Sequence, residues 1–130
     1  MIGIDTTALI DLYKKDSGLI KILSSLTEHI STTVINSLEI KFGLDPKRKD
    51  YEIEKEFYTR LINNLIILDL NLECVEKSSD IFWKLSEKGV TIGKFDCMIA
   101  GVLLSNGVST IITKNKKHFE NIKGLKVLSY

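Results

Sequence analysis

Proline and cysteine are both scarce in this sequence of 130 residues. The single proline, Pro46, lies in the segment DPKRKD, where we expect an exposed basic loop or a corner between two helices. The two cysteines, Cys74 and Cys97, form no CxxC pair, and neither histidine of the chain lies near them in the sequence. We therefore expect neither a zinc site nor a disulfide framework. We expect both cysteines to be free thiols in a reducing compartment.

An excess of charge of one sign is also missing. The 18 Lys and Arg residues nearly balance the 17 Asp and Glu residues, which leaves a net charge of +1. That balance argues against a strongly cationic protein that coats nucleic acid, although it allows a local basic patch. No apolar run reaches the roughly 18 residues of a membrane span, and the amino terminus resembles no signal peptide. We expect a soluble, cytoplasmic protein.

Short apolar runs are spaced along the whole chain and predict the strands of a sheet. IGID, HISTTV, LIILDL and STIITKN are the four strand candidates, and LKVLSY is a candidate edge strand. These runs do not alternate with polar residues and are separated by helical patterns, which indicates a parallel sheet covered on both faces. The prediction is one three-layer α/β/α domain over residues 1–130, with a central parallel sheet of four to five strands.

The helical patterns between the strands supply the two outer layers. Thr6 is expected to cap the first helix. Asn71 is expected to cap a later helix that turns Val75, Phe82 and Leu85 inward. The segment KFDCMIAGVLLSNG is apolar nearly all round and predicts a buried helix.

Four polar residues are placed to meet at one edge of this sheet. Asp5 ends the first strand, and Glu39 lies one turn into the helix after the second. Asp96 opens the buried helix, and Asn115 follows the fourth strand. Each also has an ordinary structural interpretation, because Asp5, Asp96 and Asn115 could cap helices and Glu39 could be a solvated charge. Their convergence at the carboxyl ends of the strands, where such sheets bind ligands, favours a site.

Clustered carboxylates favour a hard divalent cation. Like charges raise one another's pKa unless a cation neutralises them, and oxygen ligands suit Mg²⁺ or Mn²⁺. Such an ion can activate water for attack on phosphorus and stabilise the leaving oxygen. Phosphodiester hydrolysis is the chemistry that this pattern fits best.

The same segments resemble the PIN-domain nucleases, especially the VapC-type toxins of prokaryotic toxin–antitoxin pairs. The similarity covers essentially the whole chain through IGIDTTALIDLY, STTVINSLEIKFG and IGKFDCMIAGVLLSNGVSTIITKNKKHFENIKGLKVL. It implies a metal-dependent endoribonuclease that uses Mg²⁺ or Mn²⁺ and water as the nucleophile. It also implies a homodimer and inhibition by a small antitoxin protein.

Carried over position by position, the resemblance assigns the candidate site. Asp5, Glu39 and Asp96 match the metal-binding acids of the family, and Asn115 matches its fourth catalytic position. Thr6 and Thr113 match supporting hydroxyl residues that could hydrogen-bond the carboxylates. Their alternative roles are those of a helix cap for Thr6 and of a strand former for Thr113.

This sequence departs from the family pattern at three positions. Thr7 occupies a position that is often asparagine in the family, and Lys94 occupies one where many members have another acid. Asn115 adds no negative charge at the fourth catalytic position. Three carboxylates favour one tightly bound metal, with a second recruited alongside the substrate. Lys114, Lys116 and Lys117 cluster beside Asn115 and are candidate contacts for RNA phosphates, although such a run is also typical of a solvated surface.

Three alternatives remain open at this point. The chain could be a nuclease of RNA maturation instead of a toxin, or a PIN-like domain that binds without catalysis, since it lacks the fourth acid. A receiver-like signalling module that accepts phosphate on Asp69 is the third alternative.

Overall fold

The computed structural model describes residues 1–130 as five strands and seven helices. The strands are β1 (Ile2–Ile4), β2 (Ile30–Thr33), β3 (Ile66–Leu68), β4 (Thr110–Ile112) and β5 (Lys126–Leu128). The helices are α1 (Thr6–Tyr13), α2 (Ser17–Ser25), α3 (Val34–Gly43), α4 (Tyr51–Asn63), α5 (Leu72–Glu87), α6 (Lys94–Ser105) and α7 (Lys116–Phe119).

All five strands pair in parallel, in the order β3-β2-β1-β4-β5. β1 is the central strand, and Gly3 lies opposite Ser31 of β2 on one side and Ile111 of β4 on the other. The three residues of β1 are all buried, which explains why the strand shows no alternation with polar residues. LKVLSY contributes the predicted edge strand, whereas LIILDL forms only the three-residue strand β3.

Two hydrophobic cores lie on opposite faces of the sheet, which gives the predicted three-layer architecture. Ile111 belongs to the core formed with α5, α6 and α7, and its neighbour Ile112 belongs to the core formed with α1, α2 and α4. Helix α3 places Ile35 in the first core and Ile40 in the second. It therefore spans the two layers immediately after the carboxyl end of β2.

Helices α5 and α6 pack closely because their contact is made by small residues. A Cβ atom added to Gly101 would lie 2.1 Å from Ser78 Oγ and 3.0 Å from the Cys74 carbonyl oxygen. The buried face of α5 is therefore formed by Cys74, Ser78, Ile81 and Leu85. The prediction that Val75 points inward is wrong, since 47% of that residue is exposed.

The helix starts agree with the sequence in part. Asp16 and Asn71 accept hydrogen bonds from Leu19 N and Cys74 N, so both are genuine N-caps. The prediction that Thr6 caps α1 is wrong. Thr6 is the first helical residue, and the Asp5 side chain at the N-cap position makes no capping bond. Both residues use their side-chain oxygens elsewhere.

Two further expectations concern cysteines and membrane spans. Cys74 and Cys97 are both buried, and their thiols are free. None of the helices has the length and apolar character that crossing a membrane requires.

Candidate active site

Asp5 lies at the centre of a hydrogen-bonded network at the carboxyl edge of the sheet. The residue is only 4% exposed, although it carries a carboxylate. Its Oδ1 accepts a hydrogen bond from Asn36 Nδ2 at 3.2 Å. Its Oδ2 accepts from Thr113 Oγ1 at 2.9 Å and from Thr7 Oγ1 at 3.1 Å. Donors from three different elements or loops therefore fix the orientation of this carboxylate.

Glu39 is brought to the same edge by α3. Its Oε1 accepts a 2.6 Å hydrogen bond from Thr6 Oγ1, and Thr6 in turn accepts one from Asn36 Nδ2 at 3.0 Å. Burial raises the pKa of Glu39, and the hydrogen bond from Thr6 lowers it. The negative charges of Asp5 and Asp96 raise it further. The carboxylate of Glu39 is thus electrostatically coupled to both other acids.

Asp96 reaches the site from the first turn of α6. Its Oδ2 lies 2.9 Å from Nδ1 of His118, which projects from α7. Burial raises the pKa of Asp96, while the adjacent imidazole lowers it and the charge of Asp5 raises it. Gly93 is the N-cap residue of α6, so the capping interpretation of Asp96 is wrong.

Asn36 links two of the three acids and was not among the predicted site residues. It is fully buried, and its Nδ2 donates to both Asp5 and Thr6. Its Oδ1 accepts from the backbone N and the hydroxyl of Thr33, which completes a capping box at the start of α3. The spacing Thr33-x-x-Asn36 is the signal in the sequence that could have identified this residue.

The segment after β4 closes the other side of the network. Thr113 Oγ1 donates to Asp5 and accepts a hydrogen bond from Asn115 N at 3.0 Å. Thr7 Oγ1 similarly accepts from Lys114 N at 3.3 Å. The two hydroxyl groups therefore connect the turn that carries Asn115 to the central carboxylate.

Asn115 and the basic residues lie at the rim of the site. Asn115 is partly exposed at the N-cap position of α7, where its side chain makes no capping bond. Lys114, Lys116 and Lys117 are exposed around it. Nζ of Lys114 lies 3.5 Å from Oδ2 of Asp11, a buried carboxylate of α1. Lys94 is an exposed side chain at the start of α6.

The donor set suits a divalent cation in its chemistry. The three acids Asp5, Glu39 and Asp96 offer oxygen ligands. Burial raises the pKa of Glu39 and Asp96, and the like charges of neighbouring acids add to that rise. A cation would relieve that repulsion. In the observed rotamers, however, no three acidic, histidine or cysteine side chains form a ready metal-binding group. Metal binding therefore requires side-chain adjustment, for which Asp96 and Glu39 have room because they are only partly buried.

The family model for the PIN domain matches residues 2–125 of this sequence. The chain belongs to the PIN domain family. The receiver-like interpretation is therefore wrong. Asp69, on which it depended, is an exposed residue that follows the edge strand β3.

Two curated PIN relatives carry VapC names. The chain is 29% identical to the tRNA(fMet)-specific endonuclease VapC of Salmonella typhimurium over 105 residues, which cover 78% of this chain and 75% of the relative. It is 26% identical to ribonuclease VapC2 of Rickettsia felis over 98 residues, which cover 73% of this chain and 72% of the relative.

Solved structures match the PIN fold over nearly the whole chain. VapBC2 from Rickettsia felis, bound to a DNA fragment from their promoter, superposes with a TM-score of 0.87 at 24% identity, covering 100% of this chain and 99% of that one. VapBC-1 from nontypeable Haemophilus influenzae superposes with a TM-score of 0.83 at 25% identity. The match covers 99% of this chain and 98% of that one. The arrangement of strands and helices is therefore that of these VapBC proteins.

Proposed function

We propose that this PIN domain, spanning residues 1–130, is a divalent-metal-dependent endoribonuclease and the toxin of a toxin–antitoxin pair. The observation that carries the proposal is the convergence of Asp5, Glu39 and Asp96 at one edge of the sheet, with the raised pKa of Glu39 and Asp96. The names of the two curated relatives, an endonuclease and a ribonuclease, support the same activity.

Asp5, Glu39 and Asp96 would hold the Mg²⁺ or Mn²⁺ ion. When bound, such an ion makes water more acidic and stabilises negative charge on phosphate oxygens. One ion balances most of the charge of three carboxylates, and a second could enter with the negatively charged substrate.

The neighbouring residues prepare the site for that ion and for the substrate. Asn36, Thr7 and Thr113 keep both oxygens of Asp5 in a fixed direction. Thr6 does the same for Glu39. The energetic benefit is that the carboxylates lose little conformational freedom when they bind a cation.

The basic rim would bind the RNA backbone. Lys114, Lys116 and Lys117 place ammonium groups beside Asn115, and phosphates are the natural partners of such a group. Asn115 would add a neutral hydrogen-bonding group near the scissile phosphate. Its lack of charge leaves the site less repulsive to an incoming phosphate than a fourth acid would.

The partners follow from the same assignment. A small antitoxin protein would inhibit the enzyme, since the matched structures are of VapBC proteins. Homodimerisation is part of the proposal, and α3 offers a surface for it. Val34, Leu38 and Phe42 lie at i, i+4 and i+8 on that helix and are 38%, 39% and 73% exposed. The proposed location is the cytoplasm, where RNA is available.

The deciding experiment is cleavage of a mixed RNA panel by the purified protein with Mn²⁺ or Mg²⁺. Cleavage should disappear with EDTA and in Asp96→Asn, which keeps the shape of the side chain but not its charge. Asp80→Asn is a matched control, because Asp80 pairs with Lys84 on the surface of α5. Metal-independent cleavage, or full activity of Asp96→Asn, would overturn the assignment.

A growth assay separates a toxin from a maturation nuclease. Expression of the wild-type protein without an antitoxin should arrest growth, and expression of Asp96→Asn should not. Harmless expression of a protein that cleaves RNA in vitro would instead indicate a role in RNA maturation. Mn²⁺ binding without any cleavage would indicate a PIN domain that only binds.

A further inference from the structure

A buried carboxylate lies on α1 one helical turn from the network around Asp5. Asp11 is only 6% exposed. It follows Thr7 at i+4, so both side chains project from the same side of the helix. Thr7 donates a hydrogen bond to Asp5. A buried carboxylate is costly unless donors surround it, so the partners of Asp11 indicate what it does.

Two donors from distant parts of the chain meet the same oxygen of Asp11. The hydroxyl of Tyr130, which follows β5, donates a hydrogen bond to Asp11 Oδ2 at 2.7 Å. Nζ of Lys114 lies 3.5 Å from that same oxygen. Burial raises the pKa of Tyr130, and the hydrogen bond to Asp11 raises it further, so the hydroxyl keeps its proton and remains a donor. Tyr130 therefore fixes the direction of the carboxylate that faces Lys114.

Lys114 is attached to α1 through both its backbone and its side chain. Its backbone N donates to Thr7 Oγ1 at 3.3 Å, and its ammonium pairs with Asp11 one turn further along the helix. The ion pair therefore holds the ammonium roughly one turn of α1, about 5 Å, from the Thr7 hydroxyl that contacts Asp5.

The ion pair leaves the Lys114 ammonium able to bind an anion. The Lys114 side chain is 59% exposed and that of Asp11 only 8%, so solvent reaches the ammonium far more than the carboxylate. An ammonium has three N–H donors, and a single acid does not use all of them. Lys116 and Lys117 form no ion pair. Lys114 is therefore the one lysine of the basic rim whose ammonium is held by an acid.

We propose that Asp11 and Tyr130 are positioning residues, which hold the Lys114 ammonium as a subsite for the RNA phosphate next to the scissile one. Phosphates are the natural partners of lysine ammonium groups. An ammonium that is already held loses less freedom on binding than a mobile one does. The subsite is set back from Asp5 along α1, which suits a neighbouring phosphate and not the phosphate at the metal. This inference rests on the proposed ribonuclease function.

The first test measures kcat and KM with Mn²⁺ for one RNA that the wild-type protein cleaves. Asp11→Asn removes the charge that holds Lys114 and keeps the shape of the side chain. It should raise KM about 1.5- to 5-fold, the effect of one partly exposed ion pair. The kcat should stay constant, because a neighbouring phosphate is bound equally in the ground state and the transition state. An unchanged KM, or a loss confined to kcat, overturns the inference.

A double-mutant cycle separates positioning from a general effect on the fold. Asp11→Asn should raise KM in the wild-type background and not in the Lys114→Ala background, where no ammonium is left to hold. Lys117→Ala provides the matched background, because Lys117 belongs to the same rim and has no acid partner. There Asp11→Asn should raise KM as it does in wild type. An equal effect in all three backgrounds overturns the inference and makes Asp11 a structural residue.

Tyr130→Phe keeps the charge of Asp11 and decides the matter if Asp11→Asn does not fold. Losing the hydroxyl frees the carboxylate to rotate away from Lys114. The variant should therefore raise KM in the presence of Lys114 and leave it unchanged in Lys114→Ala. Circular dichroism and thermal unfolding verify that each variant is folded. An unchanged KM in folded Tyr130→Phe contradicts the positioning role.

RNA binding in EDTA gives a measurement that needs no cleavage. Affinity for a fluorescein-labelled single-stranded RNA is followed by anisotropy at several salt concentrations. Lys114→Ala should reduce the slope of log affinity against log salt by about 0.7, the value for one phosphate contact on a single strand. Asp11→Asn should weaken binding about 1.5- to 5-fold, and only when Lys114 is present. An unchanged slope in Lys114→Ala overturns the phosphate subsite.

The two measurements separate this inference from the proposed function. RNA cleavage without coupling between Asp11 and Lys114 would leave the nuclease in place and remove the subsite. Coupled effects on RNA binding, in a protein that cleaves no RNA, would support the phosphate site and remove the proposed catalysis.

Discussion

The imidazole Nδ1 of His118 lies 2.9 Å from Oδ2 of Asp96 and so occupies one oxygen of a proposed metal ligand. The imidazole lowers the pKa of Asp96. Removing it in His118→Ala should therefore raise that pKa and leave more Asp96 protonated in mild acid. We expect Mn²⁺ binding by His118→Ala to be weaker than wild type at pH 5.5, with a smaller difference at pH 7.5.

Isothermal titration calorimetry at the two pH values measures this effect. Lys117→Ala is the control, because Lys117 is the exposed neighbour of His118 and makes no ion pair. If His118→Ala binds Mn²⁺ more tightly than wild type at both pH values, the histidine competes with the metal for Asp96 instead of assisting it.

Glu39 should reduce the stability of the metal-free protein at neutral pH. Its pKa is raised above the ordinary value, mainly by burial, so the folded protein holds the proton more tightly than the unfolded chain does. The stability contributed by this group is present in acid and is lost as the pH rises through the raised pKa. We expect Glu39→Gln, which stays neutral, to have a higher free energy of unfolding than wild type at pH 7 in EDTA.

Urea denaturation at pH 4 and pH 7 tests the sign. The difference between Glu39→Gln and wild type should shrink at pH 4, where wild-type Glu39 is also largely neutral. Glu76→Gln, on the exposed face of α5, is the control. Its free energy of unfolding should equal that of wild type at both pH values. Lower stability of Glu39→Gln at pH 7 would mean that the Thr6 bond outweighs burial and repulsion.

Asn36→Ala should damage both the fold and the site. The variant leaves the buried groups of Asp5 and Thr33 without their partner, which costs about 1–3 kcal/mol in the free energy of unfolding. Mn²⁺ affinity should fall as well, since Asp5 and Thr6 both lose the donor that orients them. Ser37→Ala, which removes only a 3.5 Å contact, should stay within about 0.5 kcal/mol of wild type. Unchanged Mn²⁺ affinity in Asn36→Ala would show that the asparagine acts on stability alone.

Gly101→Ala should separate α5 from α6. The added Cβ would lie 2.1 Å from Ser78 Oγ and 2.9 Å from Ser78 N, which predicts a loss of about 1–3 kcal/mol in urea denaturation. The double variant with Ser78→Ala should recover only part of the loss, because the backbone nitrogen remains. Gly43→Ala at the end of α3 meets nothing within 4 Å and should be neutral or slightly stabilising. A neutral Gly101→Ala would show that the two helices can move apart freely.

The layered fold could be predicted from the sequence because its strands are short and buried on both faces. IGI is buried at all three positions and TII at both isoleucines, and runs of that kind alternating with helical patterns are typical of a covered parallel sheet. The inner face of α5 could not be predicted in the same way. The hydrophobic pattern favours burial of Val75, whereas the structure buries Ser78 instead. Only a small residue at that position leaves room for the close approach of Gly101 on α6.

The carboxylates of the candidate site could be nominated because Asp5 ends a predicted strand, Glu39 lies one turn into a predicted helix and Asp96 opens another, and all three placements are local features of the sequence. Asn36 could not be placed against Asp5 from the sequence, because 31 positions separate the two residues. Thr113 joins Asp5 across 108 positions, and only the family resemblance identified it as a supporting hydroxyl residue.

The contact between His118 and Asp96 is likewise invisible in the sequence, since 22 positions separate the two residues. His118 reaches Asp96 because buried Phe119 anchors α7 against the core.

The long separation between Thr113 and Asp5 has a consequence during protein synthesis. A nascent chain that has been translated only as far as α5 contains Asp5 and Glu39 but neither Asp96 nor β4, the neighbour of the central strand. This partial chain also lacks Thr113, which donates a hydrogen bond to the Asp5 carboxylate in the complete protein. The candidate site is therefore incomplete until the last quarter of the chain has emerged and folded.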